Sequence, residues 1–88
     1  MARHKHPKVV IKKLGRSKAW GQYWEHNNTI EIDDRAKGKL KLDIMIHERT
    51  HAHFKDMSEE DVTKFATIMA DFLWKHHARF VDNERQGN

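Results

Sequence analysis

The chain changes its hydrophobic rhythm once, near residue 34. Up to that point, apolar residues come in short runs or alternate with polar ones. "KVVIKKL" (8–14) is rich in β-branched residues and reads as a strand. "AWGQYWE" (19–25) alternates, with Trp20, Gln22 and Trp24 on one side and Ala19, Gly21 and Tyr23 on the other. It reads as a second strand, weakened at Gly21. "TIEID" (29–33) is a third, setting Ile30 and Ile32 against Thr29, Glu31 and Asp33. "GRSK" (15–18) and "HNN" (26–28) separate these runs as turns, the second because Asn tolerates left-handed backbone.

Beyond residue 34 the period becomes helical. "DDRAKGK" (33–39) is a polar entry in which Asp33 and Asp34 are candidate caps. From about Lys37 to Phe54 the apolar residues Leu40, Leu42, Ile44, Met45, Ile46, Ala52 and Phe54 lie nearly all round a helix, as expected of one buried on several sides. "KDM" (55–57) breaks it. Ser58 followed by Asp61 resembles a capping box with Asp in place of Glu, so a second helix opens at Ser58. Val62, Phe65, Met69, Phe72, Leu73 and His76 share one stripe of that helix, which is expected to run to about Phe80 before "DNERQGN" frays. Three strands followed by two helices predict an α+β fold: a small three-stranded antiparallel sheet with the helices packed on one face.

Composition narrows the chemistry. Eighty-eight residues make a single small domain over 1–88, with 1–7 and 82–88 expected to be flexible. With no Cys, thiolate metal sites and disulfides are excluded, so any metal must be held by His and carboxylates. Metal binding would also add to the stability of so small a core. No apolar run approaches the ~20 residues of a membrane span. The basic start "MARHKHPK" is followed by no apolar signal stretch, so a cytoplasmic protein is expected. The net charge is +4, and Arg3, Lys5, Lys8, Lys12, Lys13, Arg16 and Lys18 fall in the first 18 residues with no acid among them. With Trp20, Tyr23 and Trp24 as stacking surfaces they form a candidate nucleic-acid foot. A solvated tail and strand edge is the favoured reading of the same residues.

"IHERTHAHF" (46–54) holds the pattern H-E-x-x-H in His47, Glu48 and His51. Eight His in the chain raise the chance of an accidental match, so the surroundings decide. On a helix, residues four apart are neighbours on one face, so His47 and His51 present two imidazoles to one point. Two neutral imidazoles suit zinc. Glu48 lies about 100° round from His47, close enough to reach a water at the metal without ligating it. His53 points away, about 200° from His51. A third ligand must come from the second helix. There Glu60 lies opposite the apolar stripe and Asp61 is the expected partner of Ser58, which leaves Glu59, on the margin of the stripe. The rival role for Glu59 is a first-turn acid favouring the helix dipole. Asp43, four before His47, is a candidate partner that fixes an imidazole tautomer; its plainer reading is a solvated acid. His76 and His77 lie some five turns beyond Glu59, roughly 25 Å, and are read as one core-facing and one exposed His.

The stretch "NNTIEIDDRAKGKLKLDIMIHERTHAHFKDMSEEDVTKFATIMADFLW" (27–74) resembles the very small zincin-like metallopeptidases found largely in phages and prophages. These are close to the minimal gluzincins and, more distantly, to the immunity-repressor-cleaving peptidases. The shared pattern is a strand of x-I-x-I-D type, a short polar loop, a helix ending L/I-H-E-x-x-H-A, and a following helix opening S-E-E-x-V. The resemblance implies zinc (Zn2+) held by His47, His51 and Glu59, with Glu48 as catalytic base and a peptide or protein as substrate. It implies that strand 29–33 forms the cleft edge along which that peptide lies, and, for a phage-encoded chain, action in the host cytoplasm. Tyr23 and His26 are the nearest candidates to steady an oxyanion. Two rival functions remain in view: a basic nucleic-acid-associated phage protein, and a pseudo-enzyme with structural zinc. A coordination position open to water separates an enzyme from a structural site.

Overall fold

The computed structural model describes residues 5–15 and 20–86, with side chains through His76. Strands β1 (Lys8–Lys12), β2 (Gly21–Trp24) and β3 (Thr29–Asp33) are followed by helices α1 (Gly38–His53) and α2 (Glu59–Gln86). The fold is α+β, but the sheet is mixed. Its order is β1-β3-β2, with β1 parallel to β3 and β2 antiparallel to it. The antiparallel expectation treated consecutive strands as neighbours. Instead β3, whose Ile30 and Ile32 are almost fully enclosed, takes the centre, and the lysine-flanked β1 takes an edge. Charged residues suit an edge, where backbone groups are open to other chains.

The β2–β3 connection forms as its sequence implies. A 3-10 turn, Glu25–Asn27, ends at Asn28 with φ 49°, the left-handed conformation that Asn tolerates. Tyr23 Oη donates to Asn28 Oδ1 at 2.8 Å, and Asn28 Nδ2 donates to the Lys5 carbonyl at 3.3 Å. The Lys5 carbonyl is thereby joined to this turn.

Helix α1 packs on β2 and β3 with one side and on α2 with another, which is why its apolar residues run nearly all round. Ile30, Ile32, Ala36 and Ile44 form the core between sheet and helix, with Tyr23 and Met45 packed against them. Val9 and Ile11 of β1 stay exposed beside this cover. The helices run antiparallel. Lys39 pairs with Asp71 at 2.7 Å, Thr67 Oγ1 donates to Asp43 Oδ2 at 3.3 Å, and Gly38 faces the Trp74 ring.

Three expectations about the helices change. Asp33 and Asp34 do not cap α1. Its N-cap is Lys37, and Asp33, fully buried, instead accepts from the Arg35 backbone N–H and Nε, both at 2.9 Å. The buried stripe of α2 is Val62, Ala66 and Ala70, whereas Phe65, Phe72, Leu73 and His76 are exposed. α2 meets one helix only, and small residues let two helix backbones approach closely, so the contact centres on the alanines. The backbone of α2 also continues helical to Gln86, past the expected end near Phe80. Beyond Trp74 that is about 18 Å of helix at 1.5 Å per residue. Ser58 caps α2 as expected, its Oγ accepting from the Asp61 N–H at 3.1 Å; the return bond of a full capping box, from Ser58 N–H to the Asp61 carboxylate, is not formed among the described residues. Arg3, Arg16, Lys18, Ala19 and residues 87–88 lie outside the described residues, as does the side chain of His77.

Candidate metal centre

His47 and His51 project from one face of α1 toward the first turn of α2, their ring centroids 4.8 Å apart. Glu59 opens α2 and reaches back between them. His47 Nε2 lies 3.0 Å from Glu59 Oε2, and His51 Nε2 lies 2.8 Å from Glu59 Oε1. The candidate ligand atoms of the three residues all fall within 4.8 Å of one another. The donor set is two imidazole nitrogens and one carboxylate, which suits zinc. At metal–ligand distances near 2.0–2.1 Å, two donors of a tetrahedral site stand about 3.3 Å apart, so small side-chain adjustments, opening the two His–Glu contacts slightly, would admit an ion.

Local sequence explains the geometry. The four-residue spacing stacks the two imidazoles on one face of α1. Thr50 between them is buried, and its hydroxyl donates to the Ile46 carbonyl at 2.7 Å. The short loop after Phe54 and the Ser58 cap fix where α2 starts, and that start decides which of three consecutive acids points inward. Glu60 turns outward, with Lys64 3.5 Å away.

A cavity of about 220 Å³ borders the cluster, lined by Trp20, Gly21, Asp43, Ile44, His47, Glu48 and Glu59. Glu48 is half-buried there. Desolvation pushes its carboxyl above the ordinary range and the negative charge of Glu59 adds to the rise, while His47 and His51 oppose it. A carboxylate raised in this way is a better proton acceptor at neutral pH. Gly21 is required at the cavity wall, because a Cβ at that position would stand 2.5 Å from Ile44 Cγ2 and 3.5 Å from Glu48 Cγ.

Several expected residues make other contacts. Asp43 lines the cavity, but its hydrogen bond goes to Thr67 rather than to an imidazole. Tyr23 and His26 are not in the cavity wall. The Tyr23 hydroxyl is committed to Asn28, and His26 is exposed beside Trp24. Strand alternation turns Tyr23 to the helix side, and the 3-10 turn carries His26 away. The proposed substrate edge on β3 is ruled out, because both edges of β3 are paired within the sheet.

Trp20 lines the cavity, whereas the sequence placed it on a strand face and offered it as a stacking surface for nucleic acid. The Arg35 guanidinium sits 4.6 Å from the centre of a Trp20 ring, held there by the buried Asp33. The one signal for this wall was Gly21 between two large aromatics, since Gly in a strand marks a close approach.

Comparison with known protein families, curated proteins and solved structures finds no match to this chain. Among the described residues, no helix is long and apolar enough to cross a membrane.

Proposed function

We propose that the protein is a zinc-dependent peptidase of the minimal zincin type. The observation that carries this reading is the convergence of His47 Nε2, His51 Nε2 and the Glu59 carboxylate beside a cavity that also holds Glu48. When bound, zinc supplies Lewis-acid chemistry: it acidifies a water and draws charge from a polarised carbonyl. His47 and His51 would hold the ion through their ring nitrogens, and Glu59 would complete the set from the second helix. Glu48 takes a proton from the attacking water and returns it to the leaving amine. The cavity gives the reacting carbonyl room beside the ligands, and Trp20 walls its mouth.

With β3 enclosed, the substrate path moves to β2, whose outer side ends the sheet. A peptide adding there in extended form would pair with the backbone of Gly21–Trp24 and pass along the mouth of the cavity. The rival role for the ion is structural: a fourth protein ligand closing the last position would leave no place for water.

The experiment is a zinc-content assay of the purified protein, paired with peptide-library cleavage by the parent and by Glu48→Gln. Zinc at about one per chain and cleavage lost in Glu48→Gln support the reading. Zinc bound equally by the His47→Ala/His51→Ala variant removes the site. Stoichiometric zinc with four protein ligands by X-ray absorption assigns it a structural role.

A further inference from the structure

The sheet has a second face. Strand registers place Lys8, Val10 and Lys12 of β1, Thr29 and Glu31 of β3, and Gln22 and Trp24 of β2 on the side away from α1. No described helix covers that side. It carries a depression of about 440 Å³, twice the volume at the histidine cluster, lined by Lys12, Lys13, Gln22, Trp24, His26 and Glu31 among others.

Its chemistry is that of a stacking site with a cationic rim. Trp24 is 40% exposed in the folded chain, and His26 meets it edge-on at 5.9 Å. A large aromatic left in water at the wall of a depression lacks the partner that burial gives the core residues. Glu31 in the floor is already matched: Gln22 Nε2 donates to it at 2.7 Å and Lys12 Nζ stands 3.5 Å away. Lys13 on the rim, and Lys8 farther along the same face, have no ion pair among the described residues, so the face keeps uncompensated positive charge.

We propose that this outer sheet face binds single-stranded nucleic acid, with Trp24 as the stacking surface for a base and Lys12 and Lys13 as the phosphate contacts. Base–aromatic stacking beside a basic groove is how single strands are held without regard to sequence. A duplex does not fit this chemistry, because its bases already stack on one another and are not free to lie on an indole. Of the three aromatics in the basic N-terminal third, only Trp24 serves. Tyr23 faces the helix side and bonds Asn28, and Trp20 stacks under Arg35. The face lies across the sheet from the metal cluster, so the two sites can be filled at once.

The test is fluorescence anisotropy with short labelled oligothymidylate, oligouridylate and a mixed-sequence duplex, across a salt series. Binding of the single strands over the duplex, tightening as salt falls, is expected; the better of the two single strands tells DNA from RNA. Trp24→Ala should weaken binding roughly 5- to 150-fold, and Trp24→Phe should keep most of it. Lys12→Ala/Lys13→Ala alters exposed rim residues and should flatten the log–log salt slope by about 1.4. That variant reads the site even where circular dichroism finds Trp24→Ala unfolded. His47→Ala/His51→Ala should bind oligonucleotide as the parent does, so failure of the metal reading leaves this result standing. Absence of binding at low salt, duplex preference, an affinity indifferent to Trp24, or an unchanged slope in the lysine variant would each overturn the proposal.

Discussion

His47 Nε2 and Glu59 Oε2 stand 3.0 Å apart across the seam between α1 and α2, although twelve positions separate them in the chain. Such a contact joins two elements that either fold together or leave both groups in water. A metal at this seam would therefore act on folding as well as on chemistry.

Zinc should raise the melting temperature, and a chelator should lower it, because the ion binds the folded form. At 100-fold excess over Kd the added stability is about 2.7 kcal/mol. Scanning fluorimetry with and without chelator checks this. Glu59→Gln should lose most of the shift and Glu60→Gln none of it. The reverse pattern would place the metal on the neighbouring acid.

Glu48→Gln separates chemistry from binding. The variant should keep its zinc and its melting temperature while any peptidase rate falls about 10²–10⁴-fold, the usual scale for a lost proton acceptor. Single-turnover cleavage of a selected peptide measures it. An unchanged rate would remove Glu48 from proton transfer.

Gly21→Ala should destabilise the fold by about 1–3 kcal/mol, the usual cost of overpacking. The new methyl would stand 2.5 Å from Ile44 Cγ2 and 3.1 Å from the Glu31 carbonyl. Ile44→Leu, which lacks the Cγ2 branch, should recover part of that loss in the double variant. Additive losses by urea denaturation would show that the two residues do not meet.

Asp33 sets an acid limb on stability. The Arg35 side chain, its backbone N–H and the Leu14 N–H hold the Asp33 carboxyl down at about 2 against burial. A carboxyl depressed in the folded state favours folding above its unfolded value near 3.9, and that contribution fades as pH falls toward 2. Melting temperature should therefore drop over that window in the parent. Asp33→Asn should be less stable at neutral pH and flatter across the same window. An identical acid profile in the two proteins would refute the assignment.

The local rules carried the sequence a long way, for reasons of periodicity. Alternation put Ile30 and Ile32 on one face of a strand and Gly21 and Tyr23 on one face of another, and those are the faces that meet α1. Four-residue spacing put His47 and His51 side by side. The cap at Ser58 fixed the start of α2, and with it the inward turn of Glu59 and the outward turn of Glu60. Each of these is settled within a few residues, where chain geometry leaves little choice.

Tertiary structure decided what depends on distant partners. Nothing near 8–12 says that β1 runs parallel to β3, because strand order follows from which segment fills the centre of the sheet. With β3 enclosed, the open edge passed to β2. Phe65 and Phe72 fit a core stripe as well as Ala66 and Ala70 do, and the close approach of α1 chose the alanines. Asp33 looked like a helix cap until Arg35 folded over it and reached Trp20. Spacing along the chain determines which side chains share a face; only packing determines what that face meets.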